Sequence, residues 1–532
     1  MVRRSLIIFL LALIGCATPA ASLPTVTPQP TPLVLPALPP VGPTILPSDY
    51  NTRPAPRATQ AANAQPLPVV PGTTPSVNFD STLRPQFAQD LNIVNNETIY
   101  TMAWNFNDDL SEIQGSQRVI FANRTDHPLD EIYFRLFANY PDGGGNIKVQ
   151  NVRSGENNLE TSLEQSDTTL RVQLRHPLPV GSVAVLRMDY VIQVPRDAQA
   201  RYADFTRTDW ITTLPTIYPI IPAYDAQGWH TELPPSFGDL VYSDSSIYDV
   251  TITAPSQYNV IASGEMIQET KNGDRTTRRF VAAPMRDFDV NLTDRMKRTS
   301  ARLDDITVNS WYREENAEAG VRALNWAVDA VRVFQEKFGP YPFKELDLVE
   351  TPTTAGGIEY PGVVTVASDL YQDPAQLNAF EFATAHEVAH QWFYSVVGND
   401  QVNRPWLDEA LVQYATLVYF ETQYGKDVAR TLQQNYFDAQ YEAARKRYGD
   451  MSAGLPSSAY IEESYGAFVY AKGPKFFQAV RDKIGDEAFF KALRGYYEAY
   501  KYRIAEPKDL IEMFQKASGQ DITPLYVRWI GG

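Results

Sequence analysis

Two histidines four positions apart, with a glutamate directly after the first, stand at His386, Glu387 and His390 in the stretch FATAHEVAHQWF. Apolar residues recur around them at helical spacing. On a helix, positions i and i+4 share a face, so the two imidazoles can reach one metal ion while Glu387 reaches a water on that ion. Two histidines packed in a core would leave the same pattern. A metal that performs hydrolysis usually takes three protein ligands and keeps its fourth position for water. Candidates for the third are Asp408 and Glu409 in WLDEALVQYATLVYF, residues 406–420; Glu409 follows His390 by nineteen positions. That interval accommodates the end of one helix, a loop containing Gly398-Asn399-Asp400 and a second helix folded back on the first. Imidazole and carboxylate donors together point to one zinc ion.

A second stretch, GGIEYPG at residues 356–362, runs directly into VVTVAS, a β-branched and small apolar run that predicts a buried strand. Glu359 therefore lies between a flexible diglycine, Gly356-Gly357, and a proline, at the mouth of a dry element. As a turn residue alone it would face water.

The elements that must position these residues fall into two regions. From residue 85 to 304 the chain is strand-like, with RVIFAN, TLRVQLR, VAVLRMDYVIQV, YDVTITA and YNVIASG separated by Gly, Pro, Asn and Asp; this predicts a β-sandwich-like domain. From 305 to 532 the signals become helical. Ala319–Phe338 has apolar residues at i, i+3, i+4 and i+7 and stops at Gly339-Pro340. Further helices are predicted over Ala379–Val397, Trp406–Tyr424, Lys475–Ile484 and Pro507–Ala517.

The 532 residues suffice for two or three domains, and 44% hydrophobic with 12% aromatic residues is the composition of a folded chain. A net charge of −16 excludes a protein built mainly to grip nucleic acid. The N-terminus carries Arg3-Arg4, an apolar stretch from Leu6 to Ile14 too short to span a bilayer, and then Gly15-Cys16, with Cys16 the single cysteine. Residues 1–15 are expected to be an export signal, and Leu13-Ile14-Gly15-Cys16 resembles a bacterial lipobox, which implies lipidation of Cys16 and an extracytoplasmic, membrane-anchored lipoprotein. Residues 16–84 are expected to form an unfolded spacer, since sixteen of the 39 prolines lie between Ala17 and Pro75. At roughly 3.1 Å per residue, the roughly sixty residues of that proline-rich stretch could reach as far as ~180 Å when fully extended.

Taken in order, GGIEYPG, HEVAHQWF, WLDEA and Tyr470-Ala471-Lys472-Gly473 resemble the gluzincin aminopeptidases, the family of aminopeptidase N, over roughly residues 90–532. The resemblance implies an α+β multidomain protein in which the β-domain precedes a mostly α-helical, thermolysin-like zinc peptidase domain. It implies zinc on His386, His390 and Glu409, Glu387 as general base and Tyr470 as donor to the oxyanion. It also implies that Glu359 holds the α-amino group of a peptide lying along Gly356 and Gly357; Tyr465 is a second candidate near Tyr470. This chain departs from the family pattern at Ile358-Glu359-Tyr360, where Met-Glu-Asn is common, and at Asp408-Glu409-Ala410, where Asn-Glu-Gly is usual. Thr416 stands where an acidic residue often steadies a zinc histidine. With the long C-terminal helical domain of many relatives expected to be lacking after Gly532, a more open cleft is expected. An endopeptidase or other amide hydrolase, and a surface-binding lipoprotein with a structural metal site, are the competing readings.

Overall fold

The computed structural model describes residues 79, 81–94, 97–141, 143–196, 204–373 and 377–531. The export signal, Cys16 and the spacer up to residue 78 lie outside the described residues. The β-rich region is built on an eight-stranded sheet. Its spatial order is Glu265–Asn272, Arg275–Met285, Ser246–Pro255, Ile99–Phe106, Glu112–Ala122, Val183–Gln193, Asn146–Ser154 and Asn157–Asn158. Ile99–Phe106 and Val183–Gln193 bury every second side chain, the period-2 signature of a sheet with one face on a core. Gly115 pairs with Tyr190, and a Cβ at Gly115 would sit 2.0 Å from the tyrosine ring. The missing side chain lets that ring lie flat, and its hydroxyl accepts a 2.8 Å hydrogen bond from Trp104 Nε1. Smaller sheets of four, three and two strands complete the region.

A five-stranded sheet opens the second region, ordered Lys297–Leu303, Ile306–Tyr312, Glu345–Thr351, Val363–Ala367 and Gly357–Ile358. The three inner strands are parallel and the outer two antiparallel. The expected boundary at 304/305 falls in the turn of the hairpin formed by the first two strands, which share this sheet. Val363–Ala367 is fully buried, in line with its unbroken apolar run. Gly357–Ile358 is one of the two edge strands.

Helices cover this sheet. Ala317–Phe338 buries Ala323, Leu324, Ala327, Ala330, Val331, Phe334 and Phe338, and ends at Gly339, whose φ of 134° excludes most other residues. The helix that carries His386, Leu377–Ala389, is shorter than the predicted Ala379–Val397. The chain turns after Ala389: Ser395 N donates to His390 O at 3.0 Å, Val397 N donates to Trp392 O at 3.0 Å, and Tyr394 takes a φ of 131°. Trp392, Phe393, Val396 and Val397 are all buried, so the apolar run continues through the turn and hides it from pattern reading. The helix bearing Glu409 spans Glu409–Tyr424 after a single turn at Pro405–Leu407. Pro474–Ile484 and Pro507–Ser518 form as predicted, and Asp486–Tyr500 is a further helix.

One buried apolar cluster runs through both regions. Arg286 bolts them together. Wholly buried, it donates to the carbonyls of Ser243 (2.8 Å), Tyr394 (2.8 Å) and Arg503 (3.3 Å). A Cβ at Gly398 would sit 2.0 Å from its guanidinium carbon, so glycine makes room for the arginine. Among the described residues no helix is long and apolar enough to cross a membrane.

Candidate metal centre

His390 follows the last residue of its helix, yet its N–H still donates to His386 O at 3.3 Å, so the i, i+4 relation holds. The two Nε2 atoms lie 3.1 Å apart. Glu409, the first residue of its helix, brings Oε2 to 3.3 Å from His386 Nε2 and 3.5 Å from His390 Nε2. A four-coordinate ion with bonds of roughly 2.0–2.2 Å has ligand-to-ligand edges of about 3.3–3.6 Å, close to this triangle. Glu409 Oε2 is buried and lacks a hydrogen-bond donor of proper geometry among the described residues, a cost that a shared cation removes. The donor set and its spacing fit zinc.

Other acids crowd the same place. Glu359, His390 and Asp408 form a second group with ligand atoms within 4.8 Å of one another, and Asp239, Glu359 and Glu409 a third. The third group has only carboxylate oxygens, which suit a hard cation or an ammonium rather than zinc. Glu359 is 5% exposed. Burial and the neighbouring carboxylates push it up to about 7, against the pull of His390. Burial likewise drives Glu387 and Asp239 well above the usual carboxylate range. Burial opposes ionisation of Glu409 as well, but His390 and His386 outweigh it and hold that group well below the usual range. The site is short of positive charge.

The glycine loop shapes its wall. Gly357 pairs with Val366 and Ile358 with Thr365, so this edge strand has its second edge unpaired within the sheet. A Cβ at Gly357 would lie 2.5 Å from Glu387 Cγ and 2.5 Å from Thr365 O. Glycine here is what lets Glu387 lie beside the strand. Gln391, directly after His390, accepts from Gly362 N at 2.9 Å and donates to Glu359 O at 3.3 Å, which fixes the far end of the loop.

Tyr470 lies in a widened, π-type turn, Gly466–Lys472. Its ring centre is 6.2 Å from that of His386 and 5.6 Å from that of Tyr465. Lys472 does not enter the site: it donates to Asp450 Oδ1 and Met451 O, both at 2.7 Å, and anchors the turn. Gly473 admits Ala410 of the Glu409 helix, which a Cβ would meet at 2.4 Å. The Tyr-x-Lys-Gly pattern is thus a packing device that carries Tyr470 to the histidines.

Residues 322–529 match the family model described as Peptidase family M1 domain. Over that stretch the chain is similar to M1 peptidases. Aminopeptidase M1-B of Oryza sativa subsp. japonica is 24% identical over 297 residues, covering 53% of this chain and 34% of that protein. Aminopeptidase N of Streptomyces lividans is 27% identical over 209 residues, covering 37% of this chain and 24% of that one. The chain therefore spans about a third or less of the length of these curated relatives. The crystal structure of an M1 zinc metallopeptidase from Deinococcus radiodurans superposes with a TM-score of 0.60 at 19% identity, covering 81% of this chain and 93% of that one. A mutant of the Deinococcus enzyme bound to a Tyr-Ser-Ala substrate gives 0.58 at 20% identity, covering 82% and 94%. These likenesses show a shared two-domain fold, a β-rich region followed by a helical one.

Two residues beside the triangle, Gln401 and Asp239, were not singled out from sequence, and Asp408 entered only as an alternative third ligand. Asp408 Oδ1 lies 2.8 Å from His390 Nδ1, whose N–H is directed at Phe393 O, 3.1 Å away. It flanks His390 on the side away from Glu409. Thr416 takes no such part, because its hydroxyl donates to Val412 O in its own helix, and His386 Nδ1 has no partner among the described residues. Gln401 donates from Nε2 to Glu359 Oε1 and Asp408 Oδ2. Its signal was available, since GNDQ lies in the loop between the two ligand helices. Asp239 comes from a loop of the β-rich region, and nothing in its local sequence marks it.

Proposed function

We propose that this chain is a zinc-dependent aminopeptidase that removes N-terminal residues from peptides, held outside the cytoplasm by lipid on Cys16. The observation that carries the reading is the buried Glu359 carboxylate beside the His386, His390 and Glu409 triangle: it marks one end of the site as a place for a cation. A peptide with a free α-ammonium meets that requirement, and a peptide continuing past it leaves the charge unpaired.

His386, His390 and Glu409 would hold one zinc ion, which supplies Lewis acidity and lowers the pKa of bound water. Glu387 takes the proton of the attacking water and delivers it to the departing amine. Tyr470 donates its hydroxyl hydrogen to the oxygen that gains charge as the carbonyl is attacked. The unpaired edge of Gly357–Ile358 receives the peptide backbone as an added strand. The structures that share the fold and the family match to residues 322–529 support this reading.

The anchoring reading rests on Arg3-Arg4, the apolar stretch and Leu13-Ile14-Gly15-Cys16. Membrane fractions of cells making wild type and Cys16→Ser test it: loss of the protein from membranes in the variant supports it, and unchanged retention refutes it. The enzymatic reading is tested with peptides carrying free and N-acetylated termini. Strong preference for free termini supports it, and equal rates return the case to an endopeptidase.

A further inference from the structure

We propose that Gln401 is a positioning residue that aims Glu359 at the N-terminus of the peptide, and that it sets the preference for free over blocked termini. This rests on the aminopeptidase reading above. Gln401 lies in the loop between the two ligand helices and is 2% exposed. Its Nε2 donates to Glu359 Oε1 at 3.1 Å and to Asp408 Oδ2 at 2.7 Å. Asp408 in turn stands 2.8 Å from His390 Nδ1 through its other oxygen. One side-chain amide therefore joins the carboxylate on the amine side to the carboxylate behind a metal-side histidine.

The chemistry at that point is restrictive. Two carboxylates within hydrogen-bond reach of one atom repel strongly in a dry site, so an acceptor there would splay them. A lysine or arginine would hold both but would neutralise Glu359 and compete with the substrate's ammonium. An amide NH₂ offers two hydrogens without a charge. It orders Glu359 and leaves its attraction for a cation in place.

The loop that presents Gln401 is braced on both sides. Ala505 N donates to Gly398 O at 2.7 Å, and Ser457 N donates to Val402 O at 2.9 Å. Asp400 Oδ1 accepts from Val402 N at 3.2 Å and Asn403 N at 2.9 Å. Asn403 Nδ2 donates to Asp400 Oδ2 at 2.9 Å and, across to the β-rich region, to Glu232 Oε1 at 2.8 Å. Glu232 is itself held by His230 Nδ1 at 3.0 Å. The β-rich region thereby fixes a loop whose amide fixes Glu359.

The test is Gln401→Met, similar in length but unable to donate. Full-length enzyme is assayed on Ala-Ala-Ala and N-acetyl-Ala-Ala-Ala, with zinc content measured alongside. Hydrogen bonds to charged groups of this kind predict a fall of roughly 10- to 100-fold in the ratio of kcat/KM for free over acetylated peptide. The loss should appear in KM for the free peptide, with zinc content and the acetylated rate unchanged. In a Glu387→Gln background, which removes turnover, calorimetry should show the same weakening for Ala-Ala-Ala alone. Asn403→Ala, which loosens the loop from outside the site, should shift the ratio in the same direction by less, and it serves as the test if Gln401→Met fails to fold. An unchanged ratio, a parallel fall on both peptides, or loss of zinc would overturn the proposal. If Glu359→Ala leaves the ratio unchanged, the underlying aminopeptidase reading fails instead.

Discussion

Replacing Glu359 by alanine isolates the contact on which the aminopeptidase reading depends. Truncating one partner of a buried, hydrogen-bonded charge pair typically costs roughly 2–5 kcal/mol, or about 30- to several-thousand-fold in kcat/KM. The structure narrows that range. Asp239 and Glu409 have oxygens within 4.8 Å of Glu359's, so an ammonium at this spot keeps a nearby carboxylate after the truncation. The lower part of the range follows, about 2–3 kcal/mol, or roughly 30- to 150-fold. The loss should fall on peptides with free N-termini. N-acetylated peptides present no charge to Glu359, so their slow cleavage should be unchanged or slightly faster in the variant. Zinc content should stay at the wild-type level, because the triangle of His386, His390 and Glu409 does not include Glu359. The assay is steady-state kinetics on matched free and acetylated tripeptides, with metal analysis of the same preparations. Equal losses on both peptides, or no loss on either, would refute the reasoning and leave Glu359 as a structural residue of the loop.

Substituting His386, His390 or Glu409 with alanine should remove zinc and activity together, whereas Glu387→Gln should bind zinc normally and lose turnover; metal analysis and peptide hydrolysis separate the two classes. Tyr470→Phe should lower kcat by roughly 10²–10³ with zinc retained, and a variant that is fully active per folded molecule would assign Tyr470 to packing. His230 predicts a pH-dependent stability. Burial opposes its charge, but Asp225 and Glu232 raise it to about 10, above its ordinary 6.5. Its contribution is therefore fully present below about pH 6.5 and is lost as pH rises through about 10. His230→Ala should lose roughly 1–3 kcal/mol at pH 6, less than a fully enclosed pair, because the side chains of Asp225 and Glu232 are 32% and 41% exposed. Chemical denaturation across pH should show the difference from wild type shrinking toward pH 10–11; a constant difference would count against the ion-pair account.

Much of the site was legible where chemistry and period coincide. His386 and His390 are four apart, the first on a helix and the second just past its end, and the apolar run after GGIEYPG forms the buried strand that its composition required. The stop of the first long helix at Phe338 was equally plain, because glycine followed by proline ends a helix by sterics. Asp486–Tyr500 was passed over although it carries its period openly, with Phe489, Ala492, Leu493, Tyr496 and Tyr497 buried. Other features left no such trace. The turn after Ala389 is lined by aromatic and β-branched residues as apolar as the helix before it, and the left-handed Tyr394 is held there by tertiary contacts, its carbonyl bound to Arg286. The π-type widening at Gly466–Lys472, which carries Tyr470, has no sequence period of its own.

The assembly of acids was the part least accessible to a linear reading. Asp239, Glu359, Glu387, Asp408 and Glu409 come from a β-region loop, the loop just after an edge strand, one helix, and the start of a second helix with the residue before it, and each is nearly enclosed. Alone, each would read as a surface carboxylate. Together they make a site that two histidines cannot neutralise, and that asks for two kinds of positive charge. The imidazole side, with nitrogen donors at a tetrahedral edge from Glu409, suits a metal ion. The side formed by Asp239 and Glu359, with oxygen alone, suits an ammonium. Gln401, neutral and donating to both Glu359 and Asp408, stands between these two halves and lets both kinds of charge be bound in one small volume without the carboxylates turning away from each other.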